Sequence, residues 1–206
     1  MPVAVLPAAG SSRRMGRAKL LLPWSGGTIV GAVVASLRQG GAAAIVLVTA
    51  PADTELRTWA AALGEGSGLI LAVNPAPERG MLSTIREGIA ALGGAKALAR
   101  RGEVLLVAPA DLPALRAATV IELLRRQAAS GAPLAVPVHR GRRGHPLAIA
   151  PALLGEIDAL DPAVGLRQLL ACHAAELLEV AVDDPGAVAD VDTPQDYQLL
   201  LAAQKT

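Results

Sequence analysis

The chain has 206 residues, of which 52% are hydrophobic and 18% are charged, and its 19 Lys and Arg residues nearly balance its 18 Asp and Glu residues. This length suits one domain, so we expect a single domain over residues 1–206. The apolar content excludes a disordered chain, and a net charge of +1 with 1% aromatic residues argues against a nucleic-acid-binding protein.

The sequence predicts neither a membrane span nor an export signal. The longest uncharged stretch runs from Leu20 to Leu37, but Pro23 and two glycines mark it as a loop followed by a helix start. Residues 1–10 lack the basic start and long apolar run of a signal peptide. Cys172 is the single cysteine, so it forms no intramolecular disulfide, and we expect it to lie in the core. We therefore expect a cytoplasmic protein with no membrane partner.

Short apolar runs alternate with helical patterns along the chain. The predicted strands are Val3–Leu6, Ala44–Thr49, Leu69–Val73, Val104–Ala108 and Leu134–Val138. The predicted helices are Thr28–Arg38, Thr54–Leu63, Leu82–Leu92, Ala117–Ala129, Gly165–Cys172 and Pro194–Ala203. This alternation predicts an α/β fold with a mostly parallel central sheet that helices flank on both faces.

Small and basic residues follow the first predicted strand. Ala8, Ala9 and Gly10 lead into a segment with four cations, Arg13, Arg14, Arg17 and Lys19. A loop at the carboxyl end of a parallel strand lies where open α/β sheets bind ligands, and small residues let backbone N–H groups approach an anion. The spacing fits neither a Walker A loop nor a dinucleotide fingerprint. The segment is either a polyphosphate-binding loop or a solvated basic turn.

Carboxylates follow two other predicted elements. Asp111 comes after the buried-strand pattern Val104–Ala108, and we expect it at the same edge of the sheet as the small-residue loop. It is either a magnesium ligand facing a polyphosphate or the N-cap of the helix near Ala117. Thr193 and Pro194 are typical of a helix start, which leaves Asp190 or Asp192 as a second metal ligand.

A small hairpin with a basic turn is predicted to begin with the fifth strand. Residues 139–144 contain glycines and arginines and separate two apolar runs, residues 134–138 and 146–150. Positive charge is concentrated there at Arg140, Arg142, Arg143 and His145. The hairpin is either a binding surface for an anionic acceptor or a solvated surface turn.

Together these motifs resemble the MobA-like nucleotidyltransferases, which have a Rossmann-like, glycosyltransferase-A-like fold. Residues 8–23 follow the family signature Ala-Ala-Gly-x-Ser-x-Arg-Met-Gly-x-x-Lys-x-Leu-Leu-Pro, and Pro7 stands where the family usually has Leu. Similar motifs follow in order at Asn74, residues 80–88, 111–113, 144–146, 165–167 and 192–196. The resemblance therefore covers nearly the whole chain.

The resemblance implies transfer of a CMP group from CTP to a phosphorylated acceptor, with release of pyrophosphate. Ala8-Ala9-Gly10 is similar to the cytidylyltransferase form of the loop, because guanylyltransferase relatives have Gly as the second residue. The implied roles are nucleotide binding by Ala8, Ala9, Gly10, Ser11, Arg14, Lys19 and Ser83; catalysis by Lys19, Arg14 and Asp111; Mg²⁺ binding by Asp111 and Asp192; and acceptor binding by Arg142, Arg143 and His145.

Three functions agree with this resemblance. The first is cytidylyl transfer to molybdopterin or the molybdenum cofactor, with a molybdoenzyme as the client that receives the product. The second is cytidylyl transfer to another small acceptor, such as methylerythritol phosphate or a sugar phosphate. The third is a non-catalytic module that binds and delivers the cofactor. The presence of both Asp111 and Asp192 favours an enzyme.

Overall fold

Strands and helices alternate along the chain, which the computed structural model describes over residues 1–10, 19–63 and 68–204. The strands are β1 (Val3–Ala8), β2 (Pro23–Trp24), β3 (Gly27–Thr28), β4 (Ala44–Thr49), β5 (Leu69–Val73), β6 (Leu105–Val107), β7 (Leu134–His139), β8 (Arg142–Arg143), β9 (Leu147–Ile149) and β10 (Leu177–Ala181). The helices are α1 (Ile29–Gln39), α2 (Thr54–Ala62), α3 (Met81–Ala91), α4 (Ala95–Arg100), α5 (Ala117–Ser130), α6 (Leu166–Cys172) and α7 (Pro194–Ala203).

A mostly parallel sheet with strand order β10-β7-β9-β6-β1-β4-β5 forms the centre of the protein, and β8 lies beside β7. Strand β9 is antiparallel to both of its neighbours, and β8 is antiparallel to β7, whereas β1, β4, β5 and β6 are parallel. The predicted fold class is confirmed. The carboxyl ends of β1 and β6 therefore lie side by side at one edge of the sheet.

Two apolar layers cover the sheet, and alternate residues of β1 face them. Ala4 and Leu6 pack in a core that includes buried residues of α1, α2 and α5. Val3 and Val5 pack in a second core that includes residues of α3, α4 and α6. Because successive side chains of a strand point to opposite faces, an almost entirely apolar strand such as β1 is buried on both sides.

The predicted basic hairpin is present. Strand β7 pairs with β8 and then with β9, and the tight turn between β7 and β8 contains Arg140 and Gly141. Both turn residues have positive φ, 48° and 77°, as a two-residue type I′ turn requires. The turn therefore places the arginine side chains of β8 on an exposed two-stranded extension of the sheet.

Three features differ from the sequence predictions. Strand β10 and helix α4 are not predicted, because Glu179 interrupts the apolar run of the strand and the helix has only six residues. The prediction that Cys172 lies in the core is wrong, since this residue is exposed at the end of α6. The short helix packs on the second core through Leu166, Leu169 and Leu170 instead.

Asp111 does not cap α5, because the N-cap residue of this helix is Arg116. A different carboxylate anchors the start of the helix: the Oδ2 atom of Asp184 accepts hydrogen bonds from the Arg116 backbone N–H at 3.0 Å and from the Thr119 hydroxyl at 2.6 Å. The capping interpretation of Asp111 is therefore wrong.

The uncharged stretch between Leu20 and Leu37 folds into the β2–β3 ribbon and most of α1. Thr28 is the N-cap of α1, and its hydroxyl accepts a hydrogen bond from the Gly31 N–H at 3.1 Å. Among the described residues, no helix combines the length and the apolar character that a membrane crossing needs.

We expect His173 to make the stability of the fold depend on pH. Its ring nitrogens lie 3.0 Å from Glu176 and 2.9 Å from Glu156, and these hydrogen bonds raise the pKa of His173. A histidine pKa that is higher in the folded state stabilises the protein below the unfolded pKa, and this contribution disappears as the pH rises through the folded pKa. The melting temperature of the unmodified protein should therefore exceed that of His173→Gln at about pH 6, and this difference should be smaller at about pH 9. Thermal melts of both proteins across this range test it, and a difference that does not change with pH would contradict it.

Candidate active site

A cavity of about 350 Å³ opens at the carboxyl ends of β1 and β6. The last two residues of β1 and the two that follow it, residues 7–10, line its middle. Lys19 and Asp111 line the side next to β6, and Gly80, Met81 and Thr84 line the side formed by the start of α3. Since α3 follows β5 in the chain and β5 lies beyond β4, the charged wall and the α3 wall lie on opposite sides of β1.

An ammonium group between two carboxylates forms the charged wall. The Nζ atom of Lys19 lies 2.6 Å from Asp111 Oδ2 and 3.3 Å from Asp192 Oδ1. The side chains of Lys19 and Asp111 are 13% and 17% exposed, whereas that of Asp192 is 57% exposed. The second oxygen of Asp111, Oδ1, is buried and has no hydrogen-bond partner among the residues that the structure describes.

Backbone contacts bring the two carboxylates together from distant parts of the chain. The N–H of Val191 donates a hydrogen bond to the Asp111 carbonyl at 3.0 Å, and the Val191 side chain is fully buried beside Trp24 and Ile29. Asp192 comes next and precedes α7, which begins with a capping box between Thr193 and Asp196. Hydrogen bonds from the hydroxyl and backbone of Thr193 lower the pKa of Asp196, so this carboxylate stays ionised.

A buried amide organises the opposite wall. Asn74 follows β5 and is 1% exposed, and its Nδ2 group donates to the hydroxyls of Ser83 at 2.9 Å and Thr84 at 3.0 Å. Its Oδ1 atom accepts from the Ala76 N–H at 2.9 Å. The Ser83 hydroxyl donates to the Gly80 carbonyl at 2.7 Å. This network connects β5 to the first turn of α3 and fixes the position of the Thr84 hydroxyl in the cavity wall.

Residues 4–180 match the MobA-like NTP transferase domain. The chain belongs to this family. It is 27% identical to the Escherichia coli molybdenum cofactor cytidylyltransferase over 94% of this chain and 92% of that protein. The crystal structure of Rv0371c from Mycobacterium tuberculosis is 27% identical, with a TM-score of 0.74 over 98% of this chain and 99% of that one. The structure of Rv0371c in complex with manganese is 26% identical, with a TM-score of 0.69 over 98% of each chain.

The predicted nucleotide-binding residues of this NTP transferase lie at three kinds of position. Ala8, Ala9, Gly10 and Lys19 line the cavity. Ser83 lies one residue before Thr84 and contributes to the wall through its bond to Gly80. Ser11 and Arg14 lie outside the described residues. Sequence reasoning missed Thr84, although a second hydroxyl residue directly after Ser83 at a predicted helix start was a signal for it.

The predicted acceptor residues divide into an arginine pair and His145. Arg143 Nε lies 2.6 Å from Glu179 Oε1 on β10, and Arg142 donates to the Val188 carbonyl at 3.4 Å. Neither arginine is among the described residues that line the cavity. His145 is half-buried, and burial lowers its pKa, against smaller opposite effects of the Val107 backbone and the nearby Asp111 and Asp190 carboxylates. A neutral imidazole therefore lies near the charged wall.

The charged wall fits a magnesium ion that a substrate helps to hold. In the described part of the chain, no group of three or more His, Cys, Asp or Glu residues could hold a metal ion. Magnesium in phosphate-transferring sites needs only one or two carboxylates, since phosphate oxygens and water complete its six ligands. Asp111 and Asp192 supply two carboxylates, and the unpartnered Oδ1 of Asp111 is a free anionic ligand.

We expect Thr84 to contribute more to nucleotide binding than Ser83. The Thr84 hydroxyl accepts a hydrogen bond from Asn74, and its own hydrogen has no acceptor among the described residues, so it is available to a ligand in the cavity. A neutral hydrogen bond contributes about 0.5–1.5 kcal/mol, so Thr84→Val should raise the nucleotide Kd about 3- to 10-fold. Calorimetric titration of both variants measures this. Ser83→Ala is the matched control, because it removes the other hydroxyl bonded to Asn74; equal losses in the two variants would contradict the expectation.

Proposed function

We propose that the protein transfers a CMP group from CTP to a phosphorylated small molecule and that this acceptor is molybdopterin or the molybdenum cofactor. The observation that carries the proposal is the Lys19, Asp111 and Asp192 cluster at one end of the cavity of an NTP transferase. The similarity to the E. coli molybdenum cofactor cytidylyltransferase supports both the choice of CTP and the acceptor.

In the proposed reaction, a phosphate oxygen of the acceptor attacks the α-phosphorus of CTP, the new P–O bond forms, and pyrophosphate leaves. Such in-line transfer needs no covalent intermediate with the enzyme, because alignment and charge stabilisation provide most of the catalysis. The exposed cysteine therefore has no necessary role.

The nucleotide lies across the end of β1 in this proposal, with its triphosphate toward Lys19 and Asp111 and its base toward Gly80 and Thr84. The ammonium of Lys19, together with Arg14, neutralises negative charge on the α-phosphate and on the departing pyrophosphate. Gly10 has no side chain, so it lets the phosphate chain approach the backbone closely.

Asp111 and Asp192 hold magnesium in this proposal. When bound, the ion would supply positive charge that stabilises the negative charge of the phosphates. The manganese in the structure of the M. tuberculosis relative supports a divalent cation in this family. Without a cation, one ammonium against two carboxylates leaves the described cluster negatively charged, which opposes the entry of a triphosphate.

The test of the proposed function is a pyrophosphate-release assay with the purified protein. We expect release with CTP, magnesium and molybdopterin or the molybdenum cofactor. Release only with methylerythritol phosphate or a sugar phosphate would change the acceptor and retain cytidylyl transfer. If no acceptor yields pyrophosphate although the protein binds the molybdenum cofactor, the delivery-module function would replace the enzyme.

We expect a preference for CTP over GTP, because the methyl group of Ala9 narrows the cavity where the larger purine would lie. Ala9 is 7% exposed and lines the cavity. Discrimination by pocket size is on the order of 10- to 200-fold in kcat/KM. The matched variant is Ala9→Gly, which should reduce the preference. Steady-state kinetics with both nucleotides decide the matter, and equal use of GTP by the unmodified protein would overturn the choice of CTP.

We expect Asp111→Asn and Asp192→Asn to affect activity as one unit. If the two carboxylates share a metal ion, each substitution removes most of the activity and the double variant loses little more, since groups that act together are not additive. Kinetics over a magnesium titration measure this, with Asp190→Asn as the control because its exposed side chain lies in the same segment. Losses that multiply independently would show that the two carboxylates do not share an ion.

A further inference from the structure

Residues 183–192 form most of the connection between β10 and α7, and they end at the charged wall. We call this segment the strap. It includes the short 3-10 helix Pro185–Val188, and it passes the start of α5, the hairpin and the loop after β6 before it ends at Asp192. The strap therefore sets the position of one of the two carboxylates that the proposed function assigns to magnesium.

A buried carboxylate fixes the beginning of the strap. Asp184 is 2% exposed, and its Oδ2 atom accepts from the Arg116 N–H at 3.0 Å and from the Thr119 hydroxyl at 2.6 Å. Its Oδ1 atom accepts from the Gly186 N–H at 2.9 Å, and the Arg116 Nε group lies 3.9 Å away. Arg116 also donates to the Asp183 carbonyl at 3.0 Å. An asparagine cannot reproduce all of these contacts, because the NH2 group that would take the place of one carboxylate oxygen cannot accept a hydrogen bond from a backbone N–H.

Close backbone packing fixes the middle of the strap. A methyl group on Gly186 would overlap the carbonyl of Ala114, which lies in the loop that carries Asp111. A methyl group on Gly144 would overlap the Ala187 carbonyl, and the same carbonyl accepts a hydrogen bond from the His145 N–H at 2.8 Å. The strap thus packs without space between the carboxylate loop and the hairpin.

The last residues of the strap join it to the charged wall. The bond from the Val191 N–H to the Asp111 carbonyl ties the backbones of the two segments, and the adjacent Asp192 lies 3.3 Å from Lys19. The contacts at Asp184, Ala187 and Val191 all hold the same stretch of backbone. This stretch runs over eight residues from Asp184 to Asp192, one of the two carboxylates of the charged wall.

We propose that Asp184 is a positioning residue that sets the distance between Asp111 and Asp192 for a divalent cation, through the strap and without contact with the cation or the nucleotide. This inference rests on the proposed function. It assigns a site-forming role to a buried carboxylate that otherwise caps the 3-10 helix Pro185–Val188 and anchors the start of α5.

The experiment measures Mn²⁺ binding to the full chain in the presence of saturating CTP. Water-proton relaxation distinguishes the enzyme-bound Mn–CTP complex from free Mn–CTP, and CTP affinity and melting temperature are measured in parallel. The variant is Asp184→Asn, and the matched control is Asp183→Asn, whose side chain is exposed. Removal of groups that orient metal ligands typically weakens metal binding 10- to 100-fold, so we expect half-saturation by Mn²⁺ to rise about tenfold in Asp184→Asn with unchanged CTP affinity.

A second pair of variants tests the same carboxylate without changing it. Thr119→Val removes one hydrogen bond to Asp184, so it should raise the Mn²⁺ concentration at half-saturation, by less than Asp184→Asn does. Thr119→Ser retains the hydroxyl, so its half-saturation should equal that of the unmodified protein. This pair decides the question if Asp184→Asn does not fold. Lower melting temperatures with unchanged Mn²⁺ binding would overturn the positioning role. Absence of CTP-dependent Mn²⁺ binding in the unmodified protein would instead overturn the metal site of the proposed function, so the two failures are distinguishable.

Discussion

The carboxylates of Asp111 and Asp192 repel each other, and the Lys19 ammonium lies within hydrogen-bonding distance of both. The three residues come from the segment after β1, the loop after β6 and the strap, so the cluster exists only when the sheet and the strap are both in place. One positive charge does not neutralise two negative charges. The described cluster therefore carries a net negative charge, which the magnesium ion of the proposed function would neutralise.

Backbone contacts, more than side chains, determine where the carboxylates lie. Asp111 is the fourth residue after the end of β6, and its backbone carbonyl accepts the hydrogen bond from the Val191 N–H. Val191 is buried, and the capping box fixes the residue after Asp192 at the start of α7. Contacts within the protein thus position both carboxylates. In the proposed reaction, preorganised charge of this kind would avoid the cost of rearrangement.

Sequence reasoning predicted the features that depend on local pattern. The predicted strands, the basic hairpin and the helix start at Thr193 follow from periodicity and turn residues, and the structure contains all of them. It also placed Asp111 at the correct edge of the sheet, because a charged residue after a buried strand emerges at the carboxyl end. The pairing of Asp111 with Asp192 came from the family resemblance.

Features that depend on distant contacts were not predictable in this way. The local Asp184-Pro185 sequence is typical of a helix cap, but two of the hydrogen bonds to Asp184 come from residues more than 60 positions away in the chain, and no local motif predicts those. Cys172 was assigned to the core from residue type, but the length of α6 leaves it beyond the packed surface. The wall hydroxyl of Thr84 depends on the rotation of α3, which Asn74 fixes from the neighbouring strand.

The separation of the two cavity walls has a consequence for specificity. The wall made by Gly80 and Thr84 follows β5, whereas Asp111 follows β6 on the other side of β1. In the proposed function, substitutions near the start of α3 would therefore change how the base is bound and would leave the cluster of Lys19 and the carboxylates in place. The strap and the hairpin lie on the β6 side of the cavity and contact each other between Ala187 and His145. Substitutions in the hairpin, the proposed acceptor side, are therefore expected to alter the charged cluster more readily than substitutions near the start of α3.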